Sequence, residues 1–138
     1  MADESAWTFP AAGLESAVVI GVDLFERDRL RQSYARRGER LLRRLFTPLE
    51  VEQARGDILR LASRFAAKEA CAKALGAGIG KVISWQDIEI GRLPTGKPSL
   101  TLRGGALTRA RELGLTAFDI SISDTGTLVI AVVAGVRG

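Results

Sequence analysis

The apolar and polar positions divide the chain into a leader, one strand, a run of helices and two hairpins. Residues 1–16 mix small, acidic and aromatic side chains without a period, and Pro10 and Gly13 break any regular element. That leader is expected to be loose, with Trp7 and Phe9 pinning it to the body. The β-branched run Ala17 to Asp23 reads as a buried strand. From Asp28 to Phe46, Leu30, Tyr34, Leu41, Leu42 and Leu45 recur at helical spacing and predict one amphipathic helix. Thr47 as N-cap, Pro48 at the first helical position and Glu50 at the third then mark a new helix start.

The stretch Arg64 to Gly80 is alanine-rich, which favours helix, and it loses that preference at Gly76, Gly78 and Gly80. Leu61, Phe65, Ala72 and Leu75, at gaps of four, seven and three that all keep to one helix face, give it an apolar stripe. Trp85 to Arg92 and Pro98 to Arg103 alternate like paired strands joined through Leu93, Pro94, Thr95, Gly96 and Lys97. Gly104 to Leu113 predicts a helix stopped by Gly114. Phe118, Ile120 and Ile122 alternate with Asp119, Ser121 and Ser123, and the run Leu128 to Val133 completes a hairpin through Asp124, Thr125 and Gly126. The expected fold is α/β (α+β): a mostly antiparallel sheet packed against a long central helix, as a single domain over residues 1–138. A chain of 138 residues that is 46% hydrophobic can bury a core for one such domain.

Charge changes the picture by its placement. Between Arg27 and Arg44 eight arginines face two acids, Asp28 and Glu39, so this segment carries +6 while the chain as a whole is only +4. Such a patch could face nucleic acid, an anionic membrane or an acidic protein, and charge by itself does not choose among them. Nucleic acid is not the expected partner, because beyond Tyr34 no aromatic interleaves with the arginines for base stacking. No apolar run reaches the roughly 18 residues of a membrane span, and no signal pattern opens the chain, so a cytoplasmic protein is expected. Cys71, the one cysteine, reads as a small buried side chain. There is no histidine, so the usual base near neutral pH is absent.

Two motifs carry candidate chemistry. Glu69 and Lys73 are four residues apart and share a helix face next to a glycine-rich exit. A carboxylate for a hard cation, an ammonium for a phosphate and an open backbone together suggest a metal-phosphate site. The same spacing also describes an ordinary surface ion pair, worth about 0.2–0.5 kcal/mol. Asp23, an acid at the strand's end, is spaced with Glu26 as a capping box for the next helix.

The run from Arg64 to Gly76, RFAAKEACAKALG, resembles the signature RFAAKEAxxKALGTG of the short, trimeric holo-acyl-carrier-protein synthases, with Ala77 where that signature has threonine. Ile20 to Glu26 resembles their I-G-x-D-I-x-E, and Leu45 to Glu50 their RILTxxE. The similarity spans about Val19 to Val133. It implies a 4′-phosphopantetheinyl transferase-like fold and transfer of 4′-phosphopantetheine from coenzyme A to an apo acyl carrier protein of fatty-acid or polyketide synthesis. It also implies that Asp23 and Glu69 hold Mg²⁺, that Glu69 takes the serine proton and that Lys73 meets the phosphates. Arg64, Gly76, Gly96, Lys97, Pro98 and Thr125 are implied coenzyme contacts, Arg43 and Arg44 reach a neighbouring subunit's coenzyme, and Arg29, Arg36, Arg37 and Arg40 receive the carrier protein. A homotrimer follows from the same resemblance.

One position departs. Where the family has S-x-S-H, this chain has Ser121, Ile122, Ser123 and Asp124, an acid at a coenzyme contact. Asp124 could pair with a nearby cation, help hold the metal, or mark a weakened or inactive member that serves as a carrier-protein-binding module. It could also be only the turn residue of Asp124, Thr125 and Gly126.

Overall fold

Strand β1 (Val18–Glu26) alternates so that Gly21, Asp23 and Phe25 face one side while Val18, Ile20, Val22 and Leu24 face the other. The chain is described by a computed structural model over residue 6 and residues 17–138, so Trp7, Phe9 and most of the leader lie outside the described residues. After β1 come α1 (Arg27–Arg37), α2 (Glu39–Leu45), α3 (Pro48–Ala54) and α4 (Ile58–Ala74). A 3₁₀ turn (Trp85–Asp87), β2 (Ile88–Arg92), β3 (Pro98–Leu102), α5 (Gly104–Glu112), β4 (Leu115–Asp124) and β5 (Leu128–Arg137) follow. Two antiparallel sheets form, one in the order β1-β5-β4 and one pairing β2 with β3.

Helix α4 is the body on which both sheets and the short helices meet. Asp57 caps its start by accepting from the Leu59 amide at 2.9 Å, and its end closes with the amide of Ala77 donating to the Ala72 carbonyl around Gly76 at φ +68°. One apolar cluster packs Ala67, Ala70 and Cys71 of α4 and its C-cap Leu75 against Val129, Ala131 and Val133 of β5 and Ile88 and Ile90 of β2. A second cluster holds Leu30, Leu41, Leu45 and Phe46 against Leu61 and Ala62.

Four expectations change. β1 continues to Glu26 and is covered on one face only: Ile20 is 69% exposed and Leu24 64%. The helix foreseen from Asp28 to Phe46 is two helices, because Gly38 adopts φ +65° and its amide closes α1 on the Tyr34 carbonyl. α4 starts at Ile58, before Arg64, and ends at Ala74. The segment foreseen as a strand from Trp85 begins with a 3₁₀ turn, since Ser84 and Asp87 form a capping box there.

Glu50 does more than cap. Its carboxylate accepts from the Thr47 amide at 2.8 Å, the Ile90 amide at 2.8 Å and Lys68 Nζ at 2.6 Å, while Lys68 also donates to the Leu45 carbonyl at 2.8 Å. Both side chains are fully buried, so α2, α3, β2 and α4 meet at one satisfied ion pair. Burial pushes the Lys68 ammonium pKa down, against the opposing pull of Glu50. Removing one partner strands the other's charge, so Lys68→Met is expected to cost about 3–5 kcal/mol in urea unfolding. Adding Glu50→Gln should restore part of that loss, and a single variant as stable as the parent would contradict the pairing.

Candidate active site

Strand alternation and helix pitch bring two acids from separate segments together. Asp23 and Phe25 lie on the α4 side of β1, and across from them α4 presents Phe65, Glu69 and Lys73 on one face, four residues apart each time. A cleft of about 460 Å³ opens there, lined by Asp23, Glu69, Phe65, Trp85 and, from the basic helices, Arg29, Arg37 and Arg44. Its aromatic floor is continuous: Phe25 and Phe65 have ring centroids 4.5 Å apart, and Phe65 stacks on Trp85 at 5.0 Å.

The capping reading of Asp23 does not hold, since Glu26 is the N-cap of α1 and no side-chain cap bond forms. Neither does the surface pair of Glu69 with Lys73. Lys73 Nζ instead donates to Asp23 Oδ1 at 3.1 Å and to the Val22 carbonyl at 3.0 Å. Glu69 has no hydrogen bond or ion pair among the described residues. Its pKa is raised, first by burial and then by the negative charge of Asp23, with Lys73 pulling the other way. A carboxylate with a raised pKa and free lone pairs can bind a cation or take up a proton.

The remaining candidates fall into three groups. Arg36, Arg37, Arg40 and Arg44 surround a second opening of about 530 Å³ on the basic helices, and Arg29 sits with the acids. Arg43 lines a separate groove with Phe46 and Val51, where its carbonyl accepts from Gln86 Nε2 at 2.9 Å. Arg64 points away from Glu69 into a cleft of about 450 Å³ with Arg55, Arg60 and Arg92. It is only 6% exposed, its Nε has no partner among the described residues, and burial and then Arg92 lower its pKa.

A model of the 4′-phosphopantetheinyl transferase superfamily matches residues 19–133. A holo-[acyl-carrier-protein] synthase of Herpetosiphon aurantiacus is 43% identical over 124 residues, which cover 86% of this chain and 98% of that protein. The corresponding protein of Solibacter usitatus is 44% identical over 114 residues, 80% of this chain and 91% of that one. The chain belongs to the holo-[acyl-carrier-protein] synthase family. Among solved structures, the synthase of Neisseria meningitidis superposes with a TM-score of 0.78 at 33% identity, covering 86% of this chain and 98% of that one. The Helicobacter pylori synthase in complex with coenzyme A gives 0.77 at 33% identity, covering 84% and 98%. The mixed α/β architecture with antiparallel sheets is therefore the family's own.

Against that family, Asp124 stands at the end of β4, exposed, with no ion pair or side-chain hydrogen bond among the described residues and outside the Asp23 cleft. The turn after it is organised by Thr125, whose Oγ1 accepts from the amides of Thr127 and Leu128 at 3.2 and 3.1 Å. Gly76 caps α4, Gly96 takes φ +90° in the β2–β3 turn, and Pro98 opens β3. Lys97 pairs with Asp119 at 3.0 Å, bridging the two sheets. Phe25, Phe65, Ser33 and Trp85 belong to the site without having been singled out, although Phe25 follows Asp23 by two on a strand and Phe65 precedes Glu69 by four on a helix. Because the charge of Asp23 helps raise the Glu69 pKa, Asp23→Asn is expected to lower it, while burial keeps it above an ordinary glutamate. Carbon-13 titration of the Glu69 carboxyl tests this; an unchanged midpoint would mean that the two acids do not sense each other.

Proposed function

We propose that the protein is an enzyme that moves 4′-phosphopantetheine from coenzyme A to a serine hydroxyl of an apo acyl carrier protein, of fatty-acid or polyketide type, releasing adenosine 3′,5′-bisphosphate. The observation that carries the reading is the convergence of Asp23 and Glu69 on one cleft, with Lys73 paired to Asp23 at 3.1 Å, in a chain of this family. Mg²⁺ suits these donors. It takes one or two carboxylates and completes its shell with water and substrate phosphates, and among the described residues no third His, Cys, Asp or Glu joins the pair. Held by Asp23 and Glu69, it would neutralise charge on the diphosphate.

The protein's own groups do the rest. The serine oxygen bonds to the β-phosphorus of coenzyme A as the bond from that phosphorus to the bridging oxygen breaks, and the serine proton passes to a Glu69 oxygen. With no histidine in the chain, Glu69, which makes no hydrogen bond or ion pair among the described residues, is the group left to accept it. Lys73 donates to the phosphate oxygens that gain charge. The four-arginine cleft around Arg64, free of acids, suits the phosphate-rich nucleotide end, and the turn of Gly96, Lys97 and Pro98 would contact it from the adjoining opening, which shares Leu93.

The arginines of α1 and α2, above all Arg29 and Arg36, receive an acidic helix of the carrier protein, steering it more than tightening it. Three copies join around an axis, with Arg43 and Arg44 reaching a neighbour's coenzyme. The apolar strip of Val18, Ile20, Val22, Leu24, Ile130 and Val136 on the outer face of β1 and β5 supports that assembly, because a strip of this kind is seldom left in water. Among the described residues no helix is long and apolar enough to cross a membrane, in keeping with work in the cytoplasm.

A weakened enzyme, or a module that only binds the carrier protein, is the second reading, favoured by Asp124, an exposed acid with no ion pair among the described residues where the family has histidine. Glu69→Gln is expected to cut transfer by at least about 100-fold with the fold intact, read as the missing mass shift on an apo carrier protein. Near parental rates would refute the role of Glu69. Asp124→His should raise the rate, and no gain would remove the reason for a weakened enzyme.

A further inference from the structure

We propose that Lys73 is a built-in counter-ion for Asp23 that has to let go before a divalent cation binds, so that metal and diphosphate load together. The proposal rests on the reading of Asp23 and Glu69 as a metal pair. The Asp23 side chain is only 14% exposed, and one of its two oxygens, Oδ1, is already bonded to the Lys73 ammonium at 3.1 Å. The same ammonium is anchored by the Val22 carbonyl at 3.0 Å, so it sits beside the carboxylate that a cation would approach. Lys73 is 55% exposed and makes no other hydrogen bond or ion pair among the described residues, which leaves its four-carbon stem room to swing into solvent.

Charge balance then couples the two ligands. Asp23, Glu69 and Lys73 together carry −1 when ionised, and Arg29, Arg37 and Arg44 already line the rest of the cleft. A divalent ion bound with Lys73 still in place would turn that −1 into +1 and put like charges side by side. A diphosphate relieves this, because its oxygens offer the ammonium a new partner and complete the shell of the metal. Whatever factor coenzyme A adds to metal affinity, the metal must add to coenzyme A affinity.

The test measures Mn²⁺ binding to the full chain by electron paramagnetic resonance, with and without coenzyme A. Lys73→Gln lies on an exposed side chain, and circular dichroism checks its fold. Without coenzyme A this variant is expected to bind Mn²⁺ about five- to tenfold more tightly than the parent, while coenzyme A tightens binding to the parent more than to the variant. Equal or weaker binding by the variant overturns the proposal. So does an equal gain in Arg29→Gln, which removes the same charge from the cleft without touching Asp23. In the parent, carbon-13 lysine labelling gives a second reading: one ε-methylene signal should move when Mg²⁺ is added and stay still in Asp23→Asn, and the absence of any shift in the parent also overturns it. Mn²⁺ binding to Asp23→Asn at parental affinity is a different result, which sinks the metal pair itself.

Discussion

The fold depends on a place where two backbones touch. At Gly21 a side chain of even one carbon would overlap the Ala70 carbonyl and lie 2.6 Å from the Ala74 nitrogen. With hydrogen there instead, β1 settles directly onto α4, and Ala66, Ala70 and Ala74 keep the helix slim along the contact. The height of Asp23 above Glu69 is set by that approach, as is the meeting of Phe25 with Phe65. Alanine in α4 thus controls a distance as well as favouring a helix, and the glycine between two β-branched residues is a packing requirement rather than a weak point.

Around this contact the molecule separates its charges. The acids sit in a cleft floored by aromatic rings, the arginines of α1 and α2 form its rim, and a second arginine group lies on another side of α4. Next to Glu69 in sequence, Lys68 turns the opposite way into a sealed pair with Glu50. Adjacent residues of the same motif therefore serve stability and chemistry respectively, held apart by the pitch of the helix.

Much of this was legible in the chain. Thr47, Pro48 and Glu50 announced α3, the alanine run announced α4, and the resemblance already put the acids at 23 and 69 on one metal ion. What stayed hidden was relational. The bend at Gly38 competes with a helical apolar pattern that runs straight through it, and periodicity carries no mark of backbone sign. The outer face of β1 is as apolar as the inner one, so alternation gave no signal of exposure. Lys73 chose Asp23 over Glu69 because β1 crosses its path, a fact about strand placement that no spacing along α4 contains. Likewise nothing near Arg64 says that it turns away from Glu69 except the angle between them on the helix.

The order of strands also bears on how the molecule comes into being. β1 pairs along its whole length with β5, and Asp23 lies beside Ala131, so the earliest strand waits for the latest one to emerge during synthesis. Helices α1 to α4 can form while translation continues, but the wall that carries Asp23 gains its neighbour only near completion. Until then an apolar ribbon is left unzipped, an opening that chaperones and stray aggregation compete to fill.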